Sequence, residues 1–176
     1  MIRNIGILII VVVFLIVNTN ASAANLAFVN LDEILQKSNL GIKTLNKLQE
    51  RKRLEEKEVN DRENNIKILE EEIRNKQNII SNDEFKVEVT KLQKNIEDLK
   101  LYKKKVSNEY NKYKNDEIIN FFDQINPLIQ QHLSENSIDI LFNNKNIIIG
   151  KDTLDITDKI INIINKNIKW IYDQTK

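Results

Sequence analysis

A helix start sits in the middle of a long charged region, at Ile80-Ser81-Asn82-Asp83-Glu84-Phe85. Ser81 is placed to accept from the free N–H groups of the next turn. Glu84, three residues on, can reach back to the N–H of Ser81, which completes a capping box. Ile80 precedes the cap and Phe85 holds the fourth helical position, the spacing of a hydrophobic staple. Asp83 and Glu84 put negative charge at the positive end of the helix dipole. One helix is therefore expected to end near Ile80 and another to begin near Asn82.

The flanks predict a fold-back here. After the tip, Phe85, Val89, Leu92, Ile96, Leu99, Val106, Tyr110 and Tyr113 step by fours and threes, the rhythm of a coiled-coil seam. Before it, Val59, Ile66, Ile73 and Ile80 repeat every seven residues, with Leu69 between. The two series mirror each other: Ile80 faces Phe85, Ile73 faces Leu92, Leu69 faces Ile96, Ile66 faces Leu99 and Val59 faces Val106. An antiparallel hairpin buries both together. It is favoured over one continuous helix in a dimeric coiled coil because capping and pattern agree. Arg62 and Lys103 fall opposite each other in this register. Those like charges are expected to reach for water and leave the arm flexible there.

Three Gly and one Pro in 176 residues suit long uninterrupted helices. Residues 42–80 read as one helix, roughly 55–60 Å long at 1.5 Å per residue. A helix of that length in a small protein projects or pairs. The second arm returns from Asn82 to about Phe122. Its aromatic residues, Tyr102, Tyr110, Tyr113, Phe121 and Phe122, are expected as core where the arms enter the body. Ile68, Val87 and Leu101 each lie two residues past a seam position. They read either as tolerated surface residues or as an apolar lining for a client chain.

The chain opens as an export signal. Arg3 supplies a positive start, Ile5 to Val17 is an apolar run of about 13 residues, and Ala21-Ser22-Ala23 is an A-x-A cleavage site. Cleavage after Ala23 is expected, leaving residues 24–176 as a single exported domain. The absence of Cys excludes disulfides. Lys and Arg number 27 against 26 acidic residues, so the strong basic bias of a nucleic-acid binder is absent.

In order, Leu26 to Asn30 reads as a strand. Asp32 is expected to cap a short helix that Ser38 to Gly41 breaks or kinks. Asn126-Pro127 is expected to restart a helix after the arms, with Asn126 as cap. His132 reads as a surface residue. Ile138 to Phe142 and Asn146 to Gly150 read as two strands joined in a hairpin by Asn143-Asn144-Lys145. Asp155 is expected to cap a last helix striped with Ile156, Ile160, Ile163, Ile164 and Ile168. Trp170-Ile171-Tyr172 extends that helix or forms a flap. The fold class is α+β, mostly α. A long antiparallel coiled-coil hairpin, residues 42–125 with its tip near 81–83, stands on a small β-strand body formed by 24–41 and 126–176.

Leu26-Ala27-Phe28-Val29-Asn30-Leu31-Asp32-Glu33-Ile34-Leu35-Gln36-Lys37-Ser38, with Gly41 following, resembles the Skp/OmpH family of periplasmic chaperones. So do Asn126-Pro127 through Ile138-Asp139-Ile140-Leu141 and Leu154-Asp155-Ile156-Thr157-Asp158. The resemblance implies a homotrimer, with hairpins hanging as tentacles around a cavity. It implies ATP-independent holding of unfolded outer-membrane β-barrel proteins in the periplasm. Phe28, Ile138, Ile140, Phe142, Ile147 and Ile149 would then hold the trimer body, and Ile68, Val87 and Leu101 would touch clients. One chain's strands and helices make too small a core to stand alone, which agrees with a shared body. The near-neutral charge departs from the family's basic character, so apolar contact and geometry are expected to outweigh electrostatic capture. Membrane contact is expected to be peripheral at most. No cofactor, metal site, nucleophile–base pair or Gly-rich phosphate loop is read in the sequence, so an enzyme is not expected. The competing reading is a structural or adaptor coiled-coil protein of the cell envelope.

Overall fold

A computed structural model describes residues 23–174, with side chains through residue 168. The expected leader, with Ala21 of its cleavage site, lies outside the described residues, and Ala23 is the first of them.

Strand β1 (Leu26–Val29) turns Ala27 and Val29 into the core and Leu26 and Phe28 to the opposite side, as strand alternation demands. It pairs in parallel with β2 (Ile140–Asn143), Leu26 opposite Ile140 and Phe28 opposite Phe142. A parallel pair needs a long crossover, and here the entire helical hairpin is that crossover.

Helix α1 (Leu31–Lys37) is capped by Asn30, whose Oδ1 accepts from the Glu33 N–H at 3.1 Å. Asp32, expected as the cap, lies in the first turn and pairs with Lys145 at 2.5 Å. Buried Ser38 then makes a tight elbow. Its N–H closes α1 on the Ile34 carbonyl at 3.0 Å, and its Oγ accepts from the Gly41 N–H at 3.1 Å to open α2 (Asn39–Lys76). A Cβ on Gly41 would sit 1.9 Å from the Leu35 carbonyl oxygen, so only glycine lets the two helices meet this closely. The first arm thus starts before Ile42, because Ser38 can serve as a cap. It also stops at Lys76 instead of Ile80, since the Ile79 and Ile80 N–H groups both turn back onto the Lys76 carbonyl, at 2.9 and 3.1 Å.

Ser81 caps α3 (Asn82–Glu135) with both halves of the capping box. Its Oγ accepts from the Glu84 N–H at 3.3 Å, and its own N–H donates to Glu84 Oε2 at 3.0 Å. Ile80 and Phe85 are half-buried in a tip that is otherwise exposed. Helix α3 runs 54 residues without a break, through Asn126 and Pro127. The restart expected there is absent. Phe121, Ile125 and Ile129 bury one continuous stripe in the body, and that packing carries the helix across a proline. The cost is one missing backbone bond to the Asp123 carbonyl, on an exposed face where water can replace it.

After α3 the chain turns through Ser137, left-handed at φ 51°. Asn25 secures this turn, its Nδ2 donating to the Ser137 carbonyl at 3.1 Å and its N–H to Asp139 Oδ2 at 2.7 Å. The expected hairpin beyond β2 does not form. Residues 144–146 make a 3₁₀ turn, residues 147–150 take no regular structure, and a second turn follows at Asp152–Leu154. A strand exists only against a partner, and this segment finds none among the described residues. Ile156 N–H bonds the Phe28 carbonyl at 3.0 Å, so Asp155 and Ile156 lie alongside β1.

Asp155 then assists the start of α4 (Thr157–Gln174), its Oδ1 accepting from the Thr157 N–H at 2.8 Å. Of the expected isoleucine stripe, Ile156, Ile160, Ile164 and Ile168 are buried and Ile163 is half-buried against the core; Ile161 is buried as well. They pack on Ile34, Leu40, Phe121, Ile125 and Ile129 to form the core. The backbone of Trp170, Ile171 and Tyr172 continues the helix.

Candidate functional site

Among the described residues, two surfaces leave apolar side chains uncovered: the paired arms and one side of the body.

Along the arms, the mirrored seam is present but loosely closed. Ile73 is buried, most other seam residues are half-buried and Ile96 is exposed. Open grooves flank the middle. One, of about 470 Å³, has Ile66, Leu69 and Leu99 in its wall. The other, of about 500 Å³, is lined by Val59, Val106 and Tyr110. Both groups combine residues of the two arms in the expected register.

Between the grooves, polar ties replace apolar packing. The expected clash of Arg62 with Lys103 is avoided, because each turns to an opposite charge. Arg62 bonds Glu58 at 2.9 Å and stacks over the Tyr102 ring at 3.8 Å, while Lys103 pairs with Glu63 on the other arm. The Tyr102 hydroxyl and then Arg62 hold the Glu58 carboxyl below its ordinary range, and Glu58 pushes the Tyr102 hydroxyl up. Nearer the body, Arg51 lies over Tyr113 at 5.6 Å and Lys47 pairs with Glu117 at 3.3 Å. Tyr102 and Tyr113 are therefore platforms for arginines, not core. Phe121 is core, and Phe122 packs against it edge-on at 5.2 Å.

Ile68, Val87 and Leu101 are each more than half exposed. Ile68 lies on the lip of the 470 Å³ groove, which neither Val87 nor Leu101 lines. Val87 and Leu101 are two heptads apart on α3 and share its outward stripe. Asn65, Asn95 and Asp98, which the sequence did not single out, also line that groove, together with Glu72 of the acidic run Glu70-Glu71-Glu72. They flank the seam positions, and the flanks of the heptads were the available signal.

On the body, Ile140 and Phe142 are exposed and Phe28 half-buried on the sheet side facing away from the core. Ile138 packs at the edge of the core and Ile147 is half-buried. Ile148 and Ile149 are 99% and 91% exposed. Gly150 approaches the Phe28 ring so closely that a Cβ there would lie 3.0 Å from it. His132 is partly covered, its Nδ1 3.1 Å from the Asn136 amide, and takes part in closing α3.

The sequence matches a protein family described as "Outer membrane protein (OmpH-like)" over residues 25–164. The chain belongs to the OmpH-like family. Among solved structures, this OmpH-like protein is similar to one from Caulobacter crescentus CB15, described as a candidate outer membrane chaperone (OmpH-like). The TM-score is 0.76 at 14% identity, covering 84% of this chain and 88% of that one. At that identity the likeness shows a shared fold. No curated protein matches the sequence. The match spans both surfaces of the OmpH-like chain, the paired arms and the open side of the sheet.

Proposed function

We propose that the protein is an ATP-independent holdase of the periplasm that keeps unfolded outer-membrane β-barrel proteins from aggregating. The observation that carries this reading is the pairing of a long projecting hairpin with a body that is apolar on its outer sheet face. Leu26, Phe28, Ile140 and Phe142 line that face, and Ile148 and Ile149 extend from it. One face of the sheet is covered by the helices while this outer apolar face is open, so the body calls for further copies. Three copies joined through Phe28, Ile138, Ile140, Phe142, Ile147 and Ile149 set three hairpins around one cavity. Many weak contacts along the arms, Ile68, Val87 and Leu101 among them, then hold a chain without fixed structure by avidity. The Caulobacter protein's description as a candidate chaperone supports this reading.

The test is light scattering of an unfolded outer-membrane β-barrel protein diluted from urea, with and without the exported form beginning at Ala24, alongside its solution mass. Suppressed scattering by a species of three-chain mass is expected. A stable monomer or dimer that leaves scattering unchanged would turn the reading to a structural or adaptor protein of the envelope.

A further inference from the structure

The groove of about 470 Å³ between the arms is within the roughly 300–1,000 Å³ range of ligand sites. Its floor is aliphatic: Ile66 and Leu69 come from one arm and Leu99 from the other, with Ile68 on the lip. Its rim is acidic. Glu72 stands on α2 and Asp98 on α3, so a carboxylate flanks the floor from each arm. Neither has an ion-pair or side-chain hydrogen-bond partner among the described residues, whereas Glu50, Glu55, Glu58, Glu63 and Glu88 on the same arms all have one. Arg62, the one cation lining the groove among the described residues, is already engaged by Glu58 and Tyr102. The unpaired charges of the groove's own lining are therefore both negative, although the whole chain is close to neutral. Asn65 and Asn95 add an amide from each arm that can pair with the main chain of an extended guest.

We propose that this groove binds extended, unfolded segments in which an aliphatic side chain is flanked by lysine or arginine. The aliphatic group fills the floor and the flanking cations meet Glu72 and Asp98. This rests on the holdase reading and names the class of segment that the arms prefer. It makes the groove a selective site on an otherwise tolerant surface.

Two fluorescent peptides with the same leucine and valine residues test it, one carrying lysine between them and the other glutamate. Each is titrated by anisotropy with the exported form, and with a Glu72→Gln/Asp98→Asn variant whose helicity is checked by circular dichroism. The lysine peptide is expected to bind about fivefold to tenfold more tightly, as two ion pairs at an exposed site allow. The variant is expected to erase that preference while still binding both peptides, and Ile68→Ser to weaken both. Equal binding by the two peptides, or a preference that survives in the variant, would overturn the proposal. So would a variant that changes the protein's mass and not its peptide binding, because the groove would then be filled by another copy. Suppressed client aggregation without peptide preference would sink the groove alone. Loss of both would sink the holdase reading with it.

Discussion

Gly41 carries more of the architecture than its size implies. With the Leu35 carbonyl oxygen 1.9 Å from where its Cβ would be, Gly41→Ala must push α1 and α2 apart. Overpacking against backbone costs about 2 kcal/mol or more, and the urea midpoint should fall accordingly. Ser81 is a milder case. Its replacement by alanine removes a helix cap worth about 1 kcal/mol, and hydrogen exchange should quicken at residues 77–90 while the body is unchanged. The capping box was legible because it is a rule about four consecutive residues. The Asn126-Pro127 restart failed because it was also a local rule, and the buried stripe of Phe121, Ile125 and Ile129 overrode it. Pro127→Ala should therefore restore a backbone bond and raise stability by about 2 kcal/mol, the proline's helix cost less the entropy it removes from the unfolded chain.

Among elements, the arms are joined by polar ties as much as by apolar ones, and acid should loosen them. Glu63 is held below its ordinary value of 4.5 by Lys103, and Glu58 by the Tyr102 hydroxyl and then Arg62. Carboxyls lowered in the folded state contribute stability above their unfolded value, and that contribution is lost as pH falls through the folded value. Every carboxyl lowered in this way among the described residues, Glu50, Glu58, Glu63, Glu84 and Glu88, lies on the arms or their tip. Below about pH 4 the arms should exchange amide hydrogens faster than the body does. Uniform protection from pH 7 to pH 3 would exclude these ties as a source of arm stability. The register of the arms could be read from heptads alone. How each arginine resolves its like-charged neighbour could not, because that depends on which tyrosine or glutamate comes within reach in three dimensions.

For the molecule as a whole, the parallel pairing of β1 with β2 was hidden in the sequence, since the two strands lie more than a hundred residues apart. The segment at residues 147–150 looked like a strand for sound reasons of composition. Whether it becomes one is decided by what lies beside it. On the proposed shared body, Ile148→Asp with Ile149→Asp should leave the helices of a single copy intact but reduce the solution mass to that of one chain. An unchanged mass would exclude this segment as a joint between copies.

The uninterrupted run of α3 has a mechanical meaning. One rod begins at the tip and ends as the centre of the body, with Phe121 and Ile125 fully buried. From Asn82 to Phe121 it is roughly 60 Å long. A tilt of about one degree at the buried end carries the tip through roughly 1 Å, and a push at the tip returns to the core as torque. The hairpin is thus a lever whose fulcrum is the hydrophobic core, and the swing of its tip is set by how firmly that core grips a few residues near Ile125.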